Sequence, residues 1–195
     1  MTGVASLRQF VRPRDAAERC DSCGVPLSAA HAHLFEPSAR RVRCACERCA
    51  RLGLWLEIPR HARSLPGFQM TDAQWDDLMI PIALAFFSYC SHAGRVVAFY
   101  PGPAGAAEST MGLDTWREIA EANFDLLVMQ PDVEALLVNR VGSAREYFLV
   151  PIDECYRLVG LIRIHWRGLS GGSLVWGAIA DFFDQLRGRG TSCPT

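Results

Sequence analysis

The stretch RVRCACERCARL, residues 41–52, places Cys44, Cys46 and Cys49 within six positions. Upstream, CDSC adds Cys20 and Cys23, so five of the chain's eight cysteines fall between residues 20 and 49. Two Cys-x-x-Cys pairs stand out, Cys20/Cys23 and Cys46/Cys49, with 22 residues between them. Each such pair makes a tight knuckle that aims both sulfurs at one point. Between them, HLFEPSARRVRC reads as a hairpin, with a strand over 32–36, a turn at Pro37, Ser38 and Ala39, and a strand over 40–45. A hairpin joining two knuckles brings them face to face. The expected site is therefore a tetrahedral four-thiolate metal centre of Cys20, Cys23, Cys46 and Cys49. One Cys-x-x-Cys alone would also suit a redox pair, but a second at ribbon spacing argues against that reading.

Cys44 is the spare thiol. It is read as a small buried hydrophobe, with a place beside the metal or as a substitute ligand as the alternative. His31 and His33 lie near the first knuckle and are read as hairpin residues, because four cysteines already complete the site. The expected metal is zinc, with rubredoxin-like iron as the alternative, since iron uses the same four-thiolate geometry. Rubredoxin knuckles carry a glycine after each second cysteine; Gly24 supplies one, but Ala50 stands at the other position. Residues 1–60 hold 10 Arg against 6 acids, whereas residues 61–195 hold 10 Arg against 15 acids. The basic excess thus surrounds the cysteines, where it can balance thiolate charge.

The 195-residue chain is 50% hydrophobic with a net charge of −1, enough for one packed domain and a small module, and no overall sign of a nucleic-acid binder. All 20 of its Lys and Arg residues are arginine. That excludes P-loop, Schiff-base and lysine-base chemistry. The first residues, MTGVASLRQFVRPR, contain no apolar signal core, and the longest apolar run, 80–87, is too short to cross a bilayer and contains Pro81. The expectation is a cytoplasmic protein without a membrane span, whose clustered cysteines bind metal rather than form disulfides.

After residue 70 the pattern changes. TDAQWDDLM opens with a capping box, Thr71 and Gln74, and Pro81 ends that helix. IALAFFSY and RVVAFY read as one hairpin, PGPAGAAEST as a loop, DTWREIAEAN as a helix, and VEALLVNR with REYFLV as a second hairpin. Two amphipathic helices close the chain. Cys155, Leu158, Val159, Ile162 and Trp166 share one face of the first; Val175, Ile179, Phe182, Phe183 and Leu186 form the stripe of the second. The expected fold class is α+β: an N-terminal zinc-ribbon or rubredoxin-like module, then a two-layer domain with two β-hairpins and a C-terminal helix pair. The expected boundaries are an N-terminal extension at 1–19, the ribbon at 20–52, a connector at 53–70 and the α+β domain at 71–190.

No catalytic constellation emerges. GLSGG, 168–172, formally matches a nucleophile elbow, but a helix precedes it and no histidine follows Ser170. It is read as a turn, with Gly168 closing one helix and Ser173 capping the next. Asp153 is read as a helix cap, Cys155 as a core thiol and Glu108 as a solvated loop acid.

The segments CDSCGVPLSAAHAHLFE, RCACERCA, IPIALAFF, VVAFYPGPAGAAES, DVEALLVNR and VPIDECYRLVGLIRIHWRGLSGG resemble an uncharacterised actinobacterial family, domain of unknown function 5947, over about residues 8–187. Members of that family are encoded in uptake nickel–iron hydrogenase gene clusters. The resemblance implies a non-catalytic metal-binding accessory protein whose partners are hydrogenase subunits or maturation proteins. Two other functions fit the same residues: a rubredoxin-like electron carrier for the hydrogenase, and a zinc-ribbon nucleic-acid binder using Arg40, Arg41, Arg43, Arg48 and Arg51.

Overall fold

The computed structural model describes residues 18–109, 114–168 and 171–190. Two antiparallel sheets organise it. The small sheet has the order β2-β1-β3, with β1 Ala32–Glu36, β2 Arg41–Ala45 and β3 Leu56–Glu57. The β1–β2 hairpin closes through residues 37–40, and Arg40 takes a left-handed φ of 48° there. A short helix, α1 Glu47–Ala50, follows β2 directly.

The large sheet has six strands in the order β4-β9-β8-β5-β6-β7. Its strands are β4 Arg63–Ser64, β5 Leu84–Cys90, β6 Arg95–Gly102, β7 Gly105–Glu108, β8 Glu134–Asn139 and β9 Glu146–Pro151. The two expected hairpins are β5–β6 and β8–β9, and they join through an antiparallel β5–β8 pair. PGPAGAAEST is not a loop throughout. Gly102 pairs with Gly105 and the chain returns as β7, because Gly105, at φ 131°, lets the backbone reverse within two residues. Residues 110–113 of the following segment lie outside the described residues.

The remaining helices are α2 Asp72–Asp77, α3 Trp116–Ala122, α4 Phe124–Leu127, α5 Ile152–His165 and α6 Gly172–Gly190. α2 starts as its sequence dictates: the Thr71 hydroxyl accepts from Gln74 N–H at 3.1 Å, and the Gln74 side chain accepts from Thr71 N–H at 3.0 Å. α5 and α6 bury the expected stripes against one face of the sheet, meeting Leu84, Phe86, Leu137, Phe148 and Val150.

The two-layer expectation is corrected. Alternate residues of the same strands, Ala85, Phe87, Leu136, Val138 and Leu149, are also buried, under Trp75 and Leu78 of the α2 segment, Ile119 of α3, and Leu126 and Met129 at and just beyond α4. Helices cover both faces, so the domain has three layers. A sheet covered on one face alternates apolar with polar, whereas β8 is buried at every residue.

The segment between the sheets is built into both. β3 pairs with β1, and β4 pairs with β9. Ile58 and Phe35, 3% and 5% exposed, belong to the same core as α5 and α6. The aromatics Tyr147 and Trp116 also serve packing, stacked on Phe68 and Phe87 at 4.6 and 5.1 Å. Among the described residues, no helix is long and apolar enough to cross a membrane.

Candidate metal centre

The first knuckle is a turn closed by Gly24 N–H donating to Cys20 C=O and by Cys20 N–H donating to Val25 C=O, both at 2.9 Å. Gly24 sits at φ 73°, a left-handed position that a side chain disfavours. The second knuckle has another geometry. Cys46 precedes α1, and Ala50 N–H donates to Cys46 C=O at 2.9 Å. The turn after Cys49 is helical, so Ala50 is acceptable where a rubredoxin-type turn needs glycine; the left-handed glycine comes later, at Gly53 with φ 65°.

These two turns bring Cys20, Cys23, Cys46 and Cys49 together, with one sulfur from each within 4.8 Å of all the others. Cys23 and Cys46 Sγ are 3.8 Å apart. A tetrahedron with metal–sulfur bonds of about 2.3 Å has edges of about 3.8 Å, so this separation suits a shared metal ion. Cys20 and Cys49 are buried, while Cys23 is exposed. Leu34 and Ala45 close the inner side, with Leu27, Cys46, Ala50 and Trp55 packed around them.

The electrostatics match the geometry. Burial opposes a thiolate at Cys20, but the backbone amides of Cys46, Cys23 and Ser22 and the Cys23 thiol stabilise it and bring its pKa down to about 6. Cys49, hydrogen-bonded to the Cys23 and Cys46 thiols and buried, is pushed up to about 12. Crowding thus pushes the Cys20 and Cys49 thiols in opposite directions, a conflict that a cation bound among the sulfurs removes.

Cys44 is half-buried and stands outside this group. It lies on β2 opposite His33 of β1. Its backbone N–H donates to Asp21 Oδ2 at 2.7 Å, and Asp21 N–H donates to Cys44 C=O at 2.8 Å, which ties the knuckle to the hairpin. Burial raises the Cys44 pKa, and the charges of Glu18, Asp21 and Asp153 add to this.

Several sequence-predicted roles change. Asp153 does not cap α5, whose N-cap is Pro151 without a side-chain cap; its Oδ2 instead accepts from His33 Nδ1 at 2.5 Å. Glu108 is not a solvated loop acid, since it accepts from Arg40 at 2.9 Å and Arg95 at 3.1 Å. Hydrogen bonding from Arg40 holds its carboxyl below the usual range against the pull of burial. Arg40 also lies over the Phe99 ring, 5.2 Å from its centroid. Cys155 is fully buried, and burial raises its pKa well above that of a free thiol. α6 begins at Gly172, one residue before the expected Ser173 cap, and Gly168 at φ 63° follows the end of α5. Ser170 lies outside the described residues.

Four convergent thiols in the two turns that flank a β-hairpin, beside a six-stranded sheet with helices, define a mixed α/β protein with a candidate metal-binding module. The chain belongs to a family of unknown function (DUF5947), whose model matches residues 19–190. No curated protein and no solved structure matches it.

Proposed function

We propose that this protein is a non-catalytic, zinc-binding accessory factor. Cys20, Cys23, Cys46 and Cys49 hold a structural zinc, and the protein acts through protein contacts in the assembly or maturation of a nickel–iron uptake hydrogenase, in the cytoplasm. The observation that carries the metal reading is the convergence of the four sulfurs. The hydrogenase context rests on the family resemblance alone. Zinc is preferred over iron because the second knuckle is helical, with Ala50 where a rubredoxin turn places glycine. A nucleic-acid role is less favoured, because Arg40, Arg43 and Arg51 are already paired with Glu108, Glu36 and Glu47.

Elemental analysis of the full-length protein tests the metal reading. Zinc should be present, and Cys23→Ser or Cys46→Ser should lose one equivalent of it. A red protein with iron in place of zinc would favour the electron-carrier reading. Retention of full metal content by both variants would refute the ligand set. Affinity capture from cells expressing the hydrogenase tests the context. Recovery of hydrogenase or maturation proteins by wild type but not by Cys46→Ser supports it, and recovery of neither opposes it.

A further inference from the structure

Beside the four thiols stands a second group of metal-ligating side chains. His31, His33 and Cys44 each offer one ligand atom within 4.8 Å of the other two. Strand geometry explains the convergence. His31 immediately precedes β1, two residues before His33, and Cys44 sits directly across from His33 in the hairpin register. The two imidazoles meet edge to face, with centroids 5.0 Å apart.

The hydrogen bonds fix which nitrogens are available. His31 Nδ1 lies 2.9 Å from the Ser28 carbonyl oxygen, and His33 Nδ1 lies 2.5 Å from Asp153 Oδ2. Carbonyl and carboxylate oxygens accept, so both Nδ1 atoms carry hydrogen, and in the neutral imidazole the lone pair then falls on Nε2, the nitrogen a metal would take. Metal-bound histidines show this pattern: the far nitrogen donates to a carbonyl or carboxylate, which fixes the tautomer and raises ligand basicity. The His31 side chain is only 5% exposed, and its Nε2 has no hydrogen-bond partner. Glu18 Oε2, at 3.6 Å from that nitrogen, is too far for a hydrogen bond. A buried lone pair without a donor is destabilising, and a cation would satisfy it.

We propose that His31, His33 and Cys44 form a second metal site, for a divalent ion of borderline softness such as Zn²⁺ or Co²⁺. Two imidazoles and a thiolate suit that class of ion. Three protein ligands leave a fourth position open, unlike the closed four-thiolate centre. Glu18, beside His31, is the carboxylate placed to approach it. Asp153 is a positioning residue: it orients His33 from the first turn of α5 and so couples the site to the main domain.

The test titrates reduced, metal-free, full-length protein with Zn²⁺ against a chromophoric competitor, and with Co²⁺ alone. Two equivalents should bind. His31→Gln, His33→Gln and Cys44→Ser should each keep the first equivalent and lose the second. Asp153→Asn should weaken the second by about 10- to 100-fold. Cys46→Ser should show the converse loss, which separates this site from the four-thiolate one. Proton NMR of the wild-type Co²⁺ form guards against variants that fail to fold. A cobalt ion on two imidazoles gives two strongly shifted, exchangeable N–H resonances, and a four-thiolate cobalt gives none. Binding of a single equivalent, absence of those resonances, or a second equivalent unaffected by all three ligand variants would overturn the proposal.

Discussion

At the scale of single residues, the candidate metal centre depends on backbone conformations as much as on sulfur. Gly24 has open space where a Cβ would stand, so the obstacle to a side chain there is its φ of 73°. A left-handed position costs an L-residue about 1–2 kcal/mol. Gly24→Ala should therefore lower the stability of the metal-loaded protein by about that amount in denaturant melts, without changing metal stoichiometry. No loss of stability would mean that the knuckle relaxes to another turn. Ala50 shows the opposite case. It lies in α1, so the missing glycine of the second knuckle leaves no strain to relieve. Cys155 illustrates how position decides the chemistry of a thiol: fully buried on α5 and beside the acids Asp153 and Glu154, it is held protonated and acts as a small apolar side chain.

Among the elements, α5 is the hinge of the design. Its inner face packs into the core, its first turn reaches the ribbon through Asp153, and its adjacent Glu154 reaches α6. Glu154 accepts from Arg157 at 2.8 Å and from Arg189 at 2.7 Å. Burial works to raise its pKa, but the Arg189 and Arg157 contacts outweigh it and the net shift is downward. A carboxyl with a lowered folded pKa contributes stability above its unfolded pKa and loses it as pH falls through the folded value. Both arginines are about half exposed, so the contribution is modest. Glu154→Gln should cost about 1 kcal/mol at pH 7, and the difference from wild type should vanish on acidification below the carboxylate range. Urea melts at several pH values measure this. A difference that persists at pH well below that range would place the effect in packing instead.

For the molecule as a whole, the ribbon is not an appendage. Phe35 and Ile58 enter the core formed by α5, α6 and the large sheet, and Arg40 and His33 bridge to Glu108 and Asp153. A structural four-thiolate zinc contributes on the order of 10 kcal/mol to folding of its module. Because the core is shared, chelation should lower the melting temperature of the entire chain in one cooperative transition, followed together by far-ultraviolet circular dichroism and tryptophan fluorescence. Two separate transitions, with the upper one unchanged by chelator, would show that the large sheet folds independently of the ribbon. A fragment beginning at Pro66 lacks Phe35, Ile58 and β4, and exposes the core they cover.

The sequence by itself determined whatever depends on spacing along the chain. The paired knuckles, the β1–β2 hairpin, the α2 capping box, both hairpins of the large sheet and the apolar stripes of α5 and α6 all follow from local pattern, because each is formed by neighbours a few residues apart. Only the tertiary structure decided what depends on register and on distant partners. The second cover of the large sheet required knowing that β5 and β8 lie in its middle, where both faces are buried. Glu108 and Asp153 found partners 68 and 120 residues away, which no periodicity encodes. The His31, His33 and Cys44 cluster lay between these cases. The two-residue spacing of the histidines was visible, but Cys44 joins them only through the register that sets it opposite His33. A one-residue slip would turn that thiol to the other face of the strand, so the physical origin of the cluster is the hairpin's pairing rather than any motif in the sequence.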